Sequence, residues 1–184
     1  MDLGYYLNII ICEYLYDEEL CISFLHVNNE NIKNYEHIYM TYNSVQNIYI
    51  RKLCCAYDIN QIKECNFLLS LTFDNNFNQE IKENILPKSL TSLTFGHDFN
   101  QEIKENTLPK SLTNLKFGCY FNQKIKENIL PKSLISLTFG YCFDQEIKNN
   151  VLPTQLIRLY LYENYKFKNN IKIMYPNVNI IFYE

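Results

Sequence analysis

Residues 77–95 read FNQEIKENILPKSLTSLTF, and almost the same letters return from Phe99 and again from Phe121. A fourth, looser copy begins at Phe143. Successive copies start 22 residues apart, so about half of the chain is a tandem array. A fixed period of this length is the sequence signature of a repeat solenoid, in which each copy packs on its neighbours. The functional question therefore concerns an exposed face rather than a pocket.

A short β-strand is predicted once per repeat by the pattern Leu-x-x-Leu-x-Phe. In the copy that ends at Phe95, Leu93 and Phe95 lie on one side of an extended segment, whereas Ser92 and Thr94 lie on the other. The same pattern occurs at further triplets: Val45/Ile48/Ile50, Leu68/Leu71/Phe73, Leu112/Leu115/Phe117, Leu134/Leu137/Phe139, Leu156/Leu159/Leu161 and Val178/Ile181/Tyr183. One strand per repeat predicts a parallel sheet of about seven short strands.

The segment that returns from one strand to the next is predicted to be irregular. Each return ends in Leu-Pro, and proline lacks an N–H donor and keeps the preceding residue extended. Four prolines are therefore interpreted as corners that lead the chain into the sheet: Pro87, Pro109, Pro131 and Pro153. Glycines at the strand exits predict a tight turn or a positive φ at Gly96, Gly118 and Gly140. One polar position per repeat predicts a side-chain ladder that satisfies turn backbone groups, formed by Asn78, Asn100, Asn122 and Asp144.

The charge pattern does not favour nucleic-acid binding or catalysis. The formal net charge is −3, and Lys alternates with Glu and Gln along the repeat, which is typical of a solvated surface. The sequence has no Gly-rich phosphate-binding loop, no nucleophile elbow and no carboxylate pair outside the Lys/Glu runs. We therefore predict neither an enzyme nor a cofactor.

The seven cysteines are interpreted as reduced thiols, because they form no C-x-x-C pair and no His stands near them at zinc spacing. Cys119 and Cys142 are 23 residues apart and do not share a repeat phase, which argues against a redox or metal pair. The N-terminus lacks the positive start of a secretory signal, and no apolar run is long enough to span a bilayer. An intracellular, cytoplasmic location without a membrane partner is therefore expected.

The motif F-N-Q-x-I-K-x-x-x-L-P-x-x-L-x-x-L-x-F resembles the FNIP repeat family, a relative of the leucine-rich repeats (LRRs). The resemblance is specific over residues 77–161 and extends weakly back to Val45. It implies a curved, LRR-like α/β-type solenoid over residues 45–184 with the parallel sheet on one face. It also implies an origin in a social amoeba or in a giant virus that infects amoebae, with host cytoplasm as the location in the viral case. The position that usually carries the LRR ladder Asn or Cys holds Asp98, Tyr120 and Cys142 instead.

Residues 1–44 fall outside the repeat phase and are predicted to form a small helical N-terminal element. Four apolar residues fall on one face of a first helix: Leu7, Ile10, Ile11 and Leu15. Asp17 is suited to be the N-cap of a second helix that carries Leu20. This arrangement resembles an F-box, which implies that these five apolar residues dock on the Skp adaptor of a cullin–RING (SCF-type) ubiquitin ligase. The alternative is a cap that covers the first strand's apolar edge.

Two non-catalytic functions remain open. In the first, the chain is the substrate-recognition subunit of an SCF-type ubiquitin ligase, and the solenoid holds the target protein. In the second, it is a stand-alone binding scaffold with no link to ubiquitin. In both, the partner is predicted to bind the outward side of the sheet, where the copies differ and where Tyr and Arg, common in binding hot spots, accumulate. The predicted partner-binding residues are Ser92, Thr94, Asn114, Lys116, Ser136, Thr138, Arg158, Tyr160 and Tyr162.

Overall fold

A computed structural model describes the backbone of residues 38–42 and 48–56 and the complete residues 62 and 68–184. This part of the chain forms an eight-stranded sheet whose strands lie side by side in the order of the sequence. The strands are β1 (Ile38–Tyr42), β2 (Ile48–Ala56), β3 (Ser70–Phe73), β4 (Ser92–Thr94), β5 (Asn114–Lys116), β6 (Ser136–Thr138), β7 (Arg158–Tyr162) and β8 (Asn179–Tyr183). A single helix of the described residues, α1 (Lys168–Met174), connects β7 to β8.

Strands β2 to β8 run parallel, and the central pairs keep a constant register. Leu71 pairs with Leu93, and Leu93 pairs with Leu115, so each residue lies beside its counterpart in the next copy. The predicted solenoid with seven parallel strands is therefore confirmed. The sheet has one strand more than predicted, because β1 pairs with β2 in antiparallel orientation.

Strand β1 lies inside the segment that the sequence assigned to the helical N-terminal element. The sheet therefore begins at residue 38, before the predicted boundary at residue 45. The division of the chain into an N-terminal element and a solenoid stays a prediction. The two helices predicted within residues 1–37 lie outside the described residues. No helix in the described part is long and apolar enough to cross a bilayer.

The core is built from two columns of stacked phenylalanine rings. The first column follows the strands, and its neighbouring ring centroids are 5.4–5.5 Å apart: Phe73, Phe95, Phe117 and Phe139. The second column lies four residues later in each repeat, with ring centroids 6.1–6.2 Å apart: Phe77, Phe99, Phe121 and Phe143. Within a repeat the two rings stack at 3.8–3.9 Å. Every repeat therefore offers a flat aromatic surface to both neighbours.

The predicted asparagine ladder is confirmed. The side-chain oxygen of Asn78 accepts the backbone N–H of Asn100 at 2.9 Å and the side-chain amide of Gln101 at 3.0 Å. The same two bonds recur one repeat later at Asn100 and two repeats later at Asn122. The ladder ends at Asp144, whose carboxylate accepts the backbone N–H and the ammonium group of Lys166.

The predicted corners are confirmed as well. In each copy the carbonyl of the proline accepts the N–H of the leucine three residues later, as in Leu90 to Pro87 at 3.1 Å. In the first three copies a serine between them bonds to the preceding repeat; the Ser133 hydroxyl, for example, donates to the carbonyl of Leu112 at 2.7 Å. The corner thus turns the chain into the strand and joins two repeats at once.

The expected positive φ at the exit glycines is wrong. No described glycine has a positive φ; the left-handed residues are Asn84, Asn106, Asn128 and Asn150, with φ of 59–66°. Gly118 does begin a turn, in which its carbonyl accepts the N–H of Phe121 at 3.5 Å. A Cβ on Gly118 would lie 1.8 Å from the carbonyl oxygen of Gly96. The exit glycines are therefore required because the backbone of the preceding repeat fills the space of a side chain.

The last return segment departs from the predicted irregular path, because it contains α1. Ile171 of α1 is fully buried, and Phe167 and Tyr175 pack against the same core. These three residues are spaced four apart, which is the helical signal that could have predicted the element. Pro176 follows directly and is suited to end a helix.

Two tyrosines close the core at this end. Tyr165 stands one repeat after Phe143 and stacks on it at 6.0 Å. Its hydroxyl donates to the carbonyl of Gln145 at 3.0 Å. Burial raises the pKa of Tyr165 to about 12, so the hydroxyl stays protonated at neutral pH. The Tyr175 hydroxyl accepts the N–H groups of Val151 and Leu152, both at 3.2 Å, so backbone donors of the last copy are satisfied without a further repeat.

We predict that Gly118→Ala lowers the free energy of unfolding by about 1–3 kcal/mol, because its Cβ overpacks the contact with Gly96. Urea denaturation measures the change. Gly118→Asn distinguishes close contact from backbone conformation, since Asn tolerates a positive φ but also carries a Cβ. We expect Gly118→Asn to be at least as destabilising as Gly118→Ala. Near-wild-type stability of the Asn variant would contradict the contact explanation.

A second prediction concerns Thr107, which is 2% exposed and whose hydroxyl has no hydrogen-bond partner. The equivalent positions hold Ile85, Ile129 and Val151. Thr107→Val should raise the free energy of unfolding by about 1 kcal/mol, because it removes a buried unsatisfied hydroxyl. Thr91→Val is the matched control: the Thr91 hydroxyl donates to the carbonyl of Leu69 at 3.0 Å, so its removal should destabilise. Equal effects of the two substitutions would refute this prediction.

Candidate interaction surface

The outward side of the parallel sheet carries two rows of side chains, which we call the sheet face. The strand register aligns the first row: Ser70, Ser92, Asn114, Ser136, Arg158 and Asn179. It also aligns the second row: Thr72, Thr94, Lys116, Thr138, Tyr160 and Ile181. Between the rows, the inward residues from Leu71 to Leu159 are 0–2% exposed. The structure therefore brings eight of the nine predicted partner-binding residues together on the sheet face.

Lys116 and Arg158 are the two charged residues of the sheet face from β3 to β8. Both are exposed, and neither forms an ion pair or side-chain hydrogen bond with a described residue. They stand on β5 and β7 with β6 between them, so about 10 Å separates their strands. By contrast, Lys104 of the return segment pairs with Glu80 at 2.5 Å. Lys116 and Arg158 are thus available on the sheet face for an external anion.

Aromatic side chains gather where β7 and β8 end. Tyr162, the ninth predicted residue, contacts Tyr183 edge-on at 5.9 Å and Tyr141 at 4.4 Å. The Tyr183 hydroxyl donates to the carbonyl of Phe139 at 2.5 Å. Burial is the main reason that the pKa of Tyr183 is raised. This aromatic end continues the sheet face, and Tyr141, 58% exposed, is its most accessible member.

The turns that follow β4, β5 and β6 are joined by the same slanted backbone bonds as the parallel strands. The N–H of Asp98 donates to Asn75, that of Tyr120 to His97, and that of Cys142 to Cys119, each at 2.8–3.0 Å. Each of these bonds joins residues 23 apart, as does the bond from Asn114 to Thr91 in the strands. We call residues 97, 98, 119, 120, 141 and 142 the exit-turn row.

The exit-turn row lies outside the nine predicted partner-binding residues. Variation between copies could have indicated it, because otherwise similar copies carry His97, Cys119 and Tyr141 at one position and Asp98, Tyr120 and Cys142 at the next. Tyr120 is 52% exposed, and its ring meets that of His97 edge-on at 4.6 Å. The exit-turn row therefore extends the variable, aromatic surface beyond the strands.

Other parts of the described chain offer no comparable site. No group of three or more His, Cys, Asp or Glu side chains within the described residues is placed to hold a metal ion. A groove of about 760 Å³ lies beside α1, lined in part by Leu152, Met174 and Tyr175, and none of the predicted site residues line it. The five F-box-like residues from Leu7 to Leu20 lie outside the described residues.

Comparisons with known proteins gave a family match and a similar solved structure. The FNIP repeat model matches residues 60–98 and 99–142. No curated protein is significantly similar to the chain. Among solved structures, the crystal structure of CroV588, described as a novel circular LRR protein structure, shows 32% sequence identity and a TM-score of 0.45. The alignment covers 78% of this chain and 29% of that one, so this chain spans less than a third of that protein's length.

The FNIP matches coincide with the copies that stack in constant register. A strand in each unit of 20–29 residues, aligned in one parallel sheet, is the arrangement of leucine-rich repeats. Repeat solenoids of this kind are suited to protein–protein interaction and are typically non-catalytic. The chain therefore carries FNIP repeats over residues 60–142, where the FNIP repeat model matches.

Proposed function

We propose that the sheet face binds a protein partner through an acidic segment of that partner. The observation that carries this proposal is the pair of unpartnered cations, Lys116 and Arg158, on a face that is otherwise neutral from β3 to β8. The whole chain has a formal charge of −3, so this face differs in sign from the molecule. Complementary charge both steers association and selects the partner.

The surrounding side chains support a protein partner. Ser and Thr hydroxyls of both rows and the amide of Asn114 offer hydrogen bonds to a peptide backbone. Tyr160, Tyr162 and Tyr141 supply aromatic surface at the end of the face, and Tyr and Arg are enriched in binding hot spots. Apart from the buried position of Thr107, most positions that differ between copies lie outward, whereas the inward Leu and Phe positions are kept. The array therefore holds a constant core under a varied surface.

A charge-reversal experiment tests the sheet face. The double variant Lys116→Glu/Arg158→Glu should bind a fluorescent decaglutamate peptide about 5- to 30-fold more weakly at low ionic strength, since each exposed pair contributes up to about 1 kcal/mol. Fluorescence anisotropy measures the affinity. The double variant Lys110→Glu/Lys132→Glu makes the same change of charge at exposed corner residues and should retain binding. Equal losses in the two double variants would show a general charge effect and contradict the proposal.

We further propose that the chain is the substrate-recognition subunit of an SCF-type ubiquitin ligase, with residues 1–37 docking on the Skp adaptor. The support is the apolar helical face of Leu7, Ile10, Ile11 and Leu15 in front of a binding array. The pairing of β1 with β2 adds support, because it already covers the edge of the first parallel strand. Residues 1–37 are therefore not needed to cover the edge of β2. The proposed location is the cytoplasm of an amoeba, or of the amoebal host of a giant virus.

Purified Skp adaptor provides the test. The full chain should bind the adaptor, and Leu15→Asp should abolish binding because it places a charge in the apolar face. Glu13→Ala lies on the opposite face of the predicted helix and should leave the affinity unchanged. Absence of binding by the folded full chain would exclude the ligase function. Aggregation of a chain that lacks residues 1–37, without adaptor binding by the full chain, would favour the stand-alone scaffold with a capping N-terminus.

A further inference from the structure

Cys119 and Cys142 lie in adjacent turns of the exit-turn row. Their spacing of 23 residues is that of the slanted backbone bonds between neighbouring repeats, so the difference in repeat phase does not separate them. The N–H of Cys142 donates to the carbonyl of Cys119 at 2.9 Å. Neighbouring hydrogen-bonded chains are about 4.8 Å apart and successive residues of an extended chain about 3.3 Å apart, so a displacement by one residue keeps the Cα atoms within the range of about 4.4–6.8 Å that a disulfide spans.

The side chains at these two positions face each other. The equivalent pair one repeat earlier shows it directly: the rings of His97 and Tyr120 meet at 4.6 Å. Burial raises the pKa of the Cys142 thiol, and the neighbouring Cys119 side chain raises it further. Both cysteines are free and partly exposed, so a small reagent can reach them.

We propose that Cys119 and Cys142 are a reversible dithiol–disulfide pair that exchanges with low-molecular-weight disulfides such as oxidised glutathione. One thiolate attacks a sulfur of the reagent, which forms a mixed disulfide and releases one glutathione thiolate. The second thiolate attacks the protein sulfur of the mixed disulfide and releases the other glutathione. The two cysteines lose two electrons and two protons, and the reagent is reduced to two glutathione molecules.

The bond would join two neighbouring repeats on the surface next to the sheet face. Tyr120 follows Cys119 and Tyr141 precedes Cys142, so the most exposed aromatic rings flank the pair. Tyr183 is also close, since the charge of Cys119 contributes to its raised pKa. Oxidation therefore fixes the distance between these two turns and converts two thiols of the exit-turn row into a disulfide.

Peptide mapping of the full chain tests the proposal. After incubation in glutathione buffers of graded ratio, blocking of free thiols and trypsin digestion, we expect peptides 117–124 and 133–148 to be joined, with the loss of two hydrogens. The linked species should appear in a more reducing buffer than any species with a cysteine outside this pair. Its thermal unfolding midpoint should exceed that of the reduced chain.

Matched variants make the result decisive. Cys119→Ser and Cys142→Ser should each leave one cysteine of the pair, which then forms only a mixed disulfide with glutathione, and circular dichroism verifies that both variants fold. Cys54→Ser removes a cysteine outside the pair and should leave the linked peptides unchanged. The proposal is overturned if the full chain yields mixed disulfides at Cys119 and Cys142 without the linked species. Links from either residue to other cysteines at equal yield would overturn it as well.

Discussion

The stacking of each repeat on its neighbour in constant register is the constraint on which the other contacts depend. One repeat cannot bury both flanks of its phenylalanine rings, and its turn donors have no acceptor of their own. A neighbour 22 residues away supplies the missing ring, the missing backbone carbonyl and the missing asparagine oxygen at the same time. Stability therefore resides in the interfaces between copies, and the surface inherits its regular spacing from them.

This dependence explains how much could be predicted from the sequence. The seven parallel strands, the corners and the asparagine ladder follow from periodicity, because identical residues in identical phase must meet when copies stack. The sheet-face rows follow for the same reason, since alternation in a strand determines which side each residue takes. The sites predicted within residues 1–37 rest on the spacing of apolar residues alone, because this segment has no internal copy with which it can be compared.

The remaining features depend on distances between backbones, which a periodic pattern does not contain. A glycine at position 118 is compatible with a positive φ or with the close approach of a neighbouring backbone. Only the position of the Gly96 carbonyl distinguishes the two explanations. The approach of Cys119 to Cys142 depends on the slanted backbone bond between their turns, which a comparison of equal repeat phases does not show. Helix α1 was not predicted, because the preceding return segments are irregular and indicated an irregular last segment as well.

The asparagine ladder has a direction, and its last member differs chemically from the others. An asparagine carries both an acceptor and an amide donor, whereas the carboxylate of Asp144 only accepts and is satisfied by Lys166. Asp144 therefore keeps the backbone bond of the ladder, and only its second donor changes, from a glutamine amide to the Lys166 ammonium group. A duplicated or deleted 22-residue unit in the middle of the array leaves this terminus intact. The sheet face can therefore lengthen or shorten in evolution by one strand, about 4.8 Å, at a time.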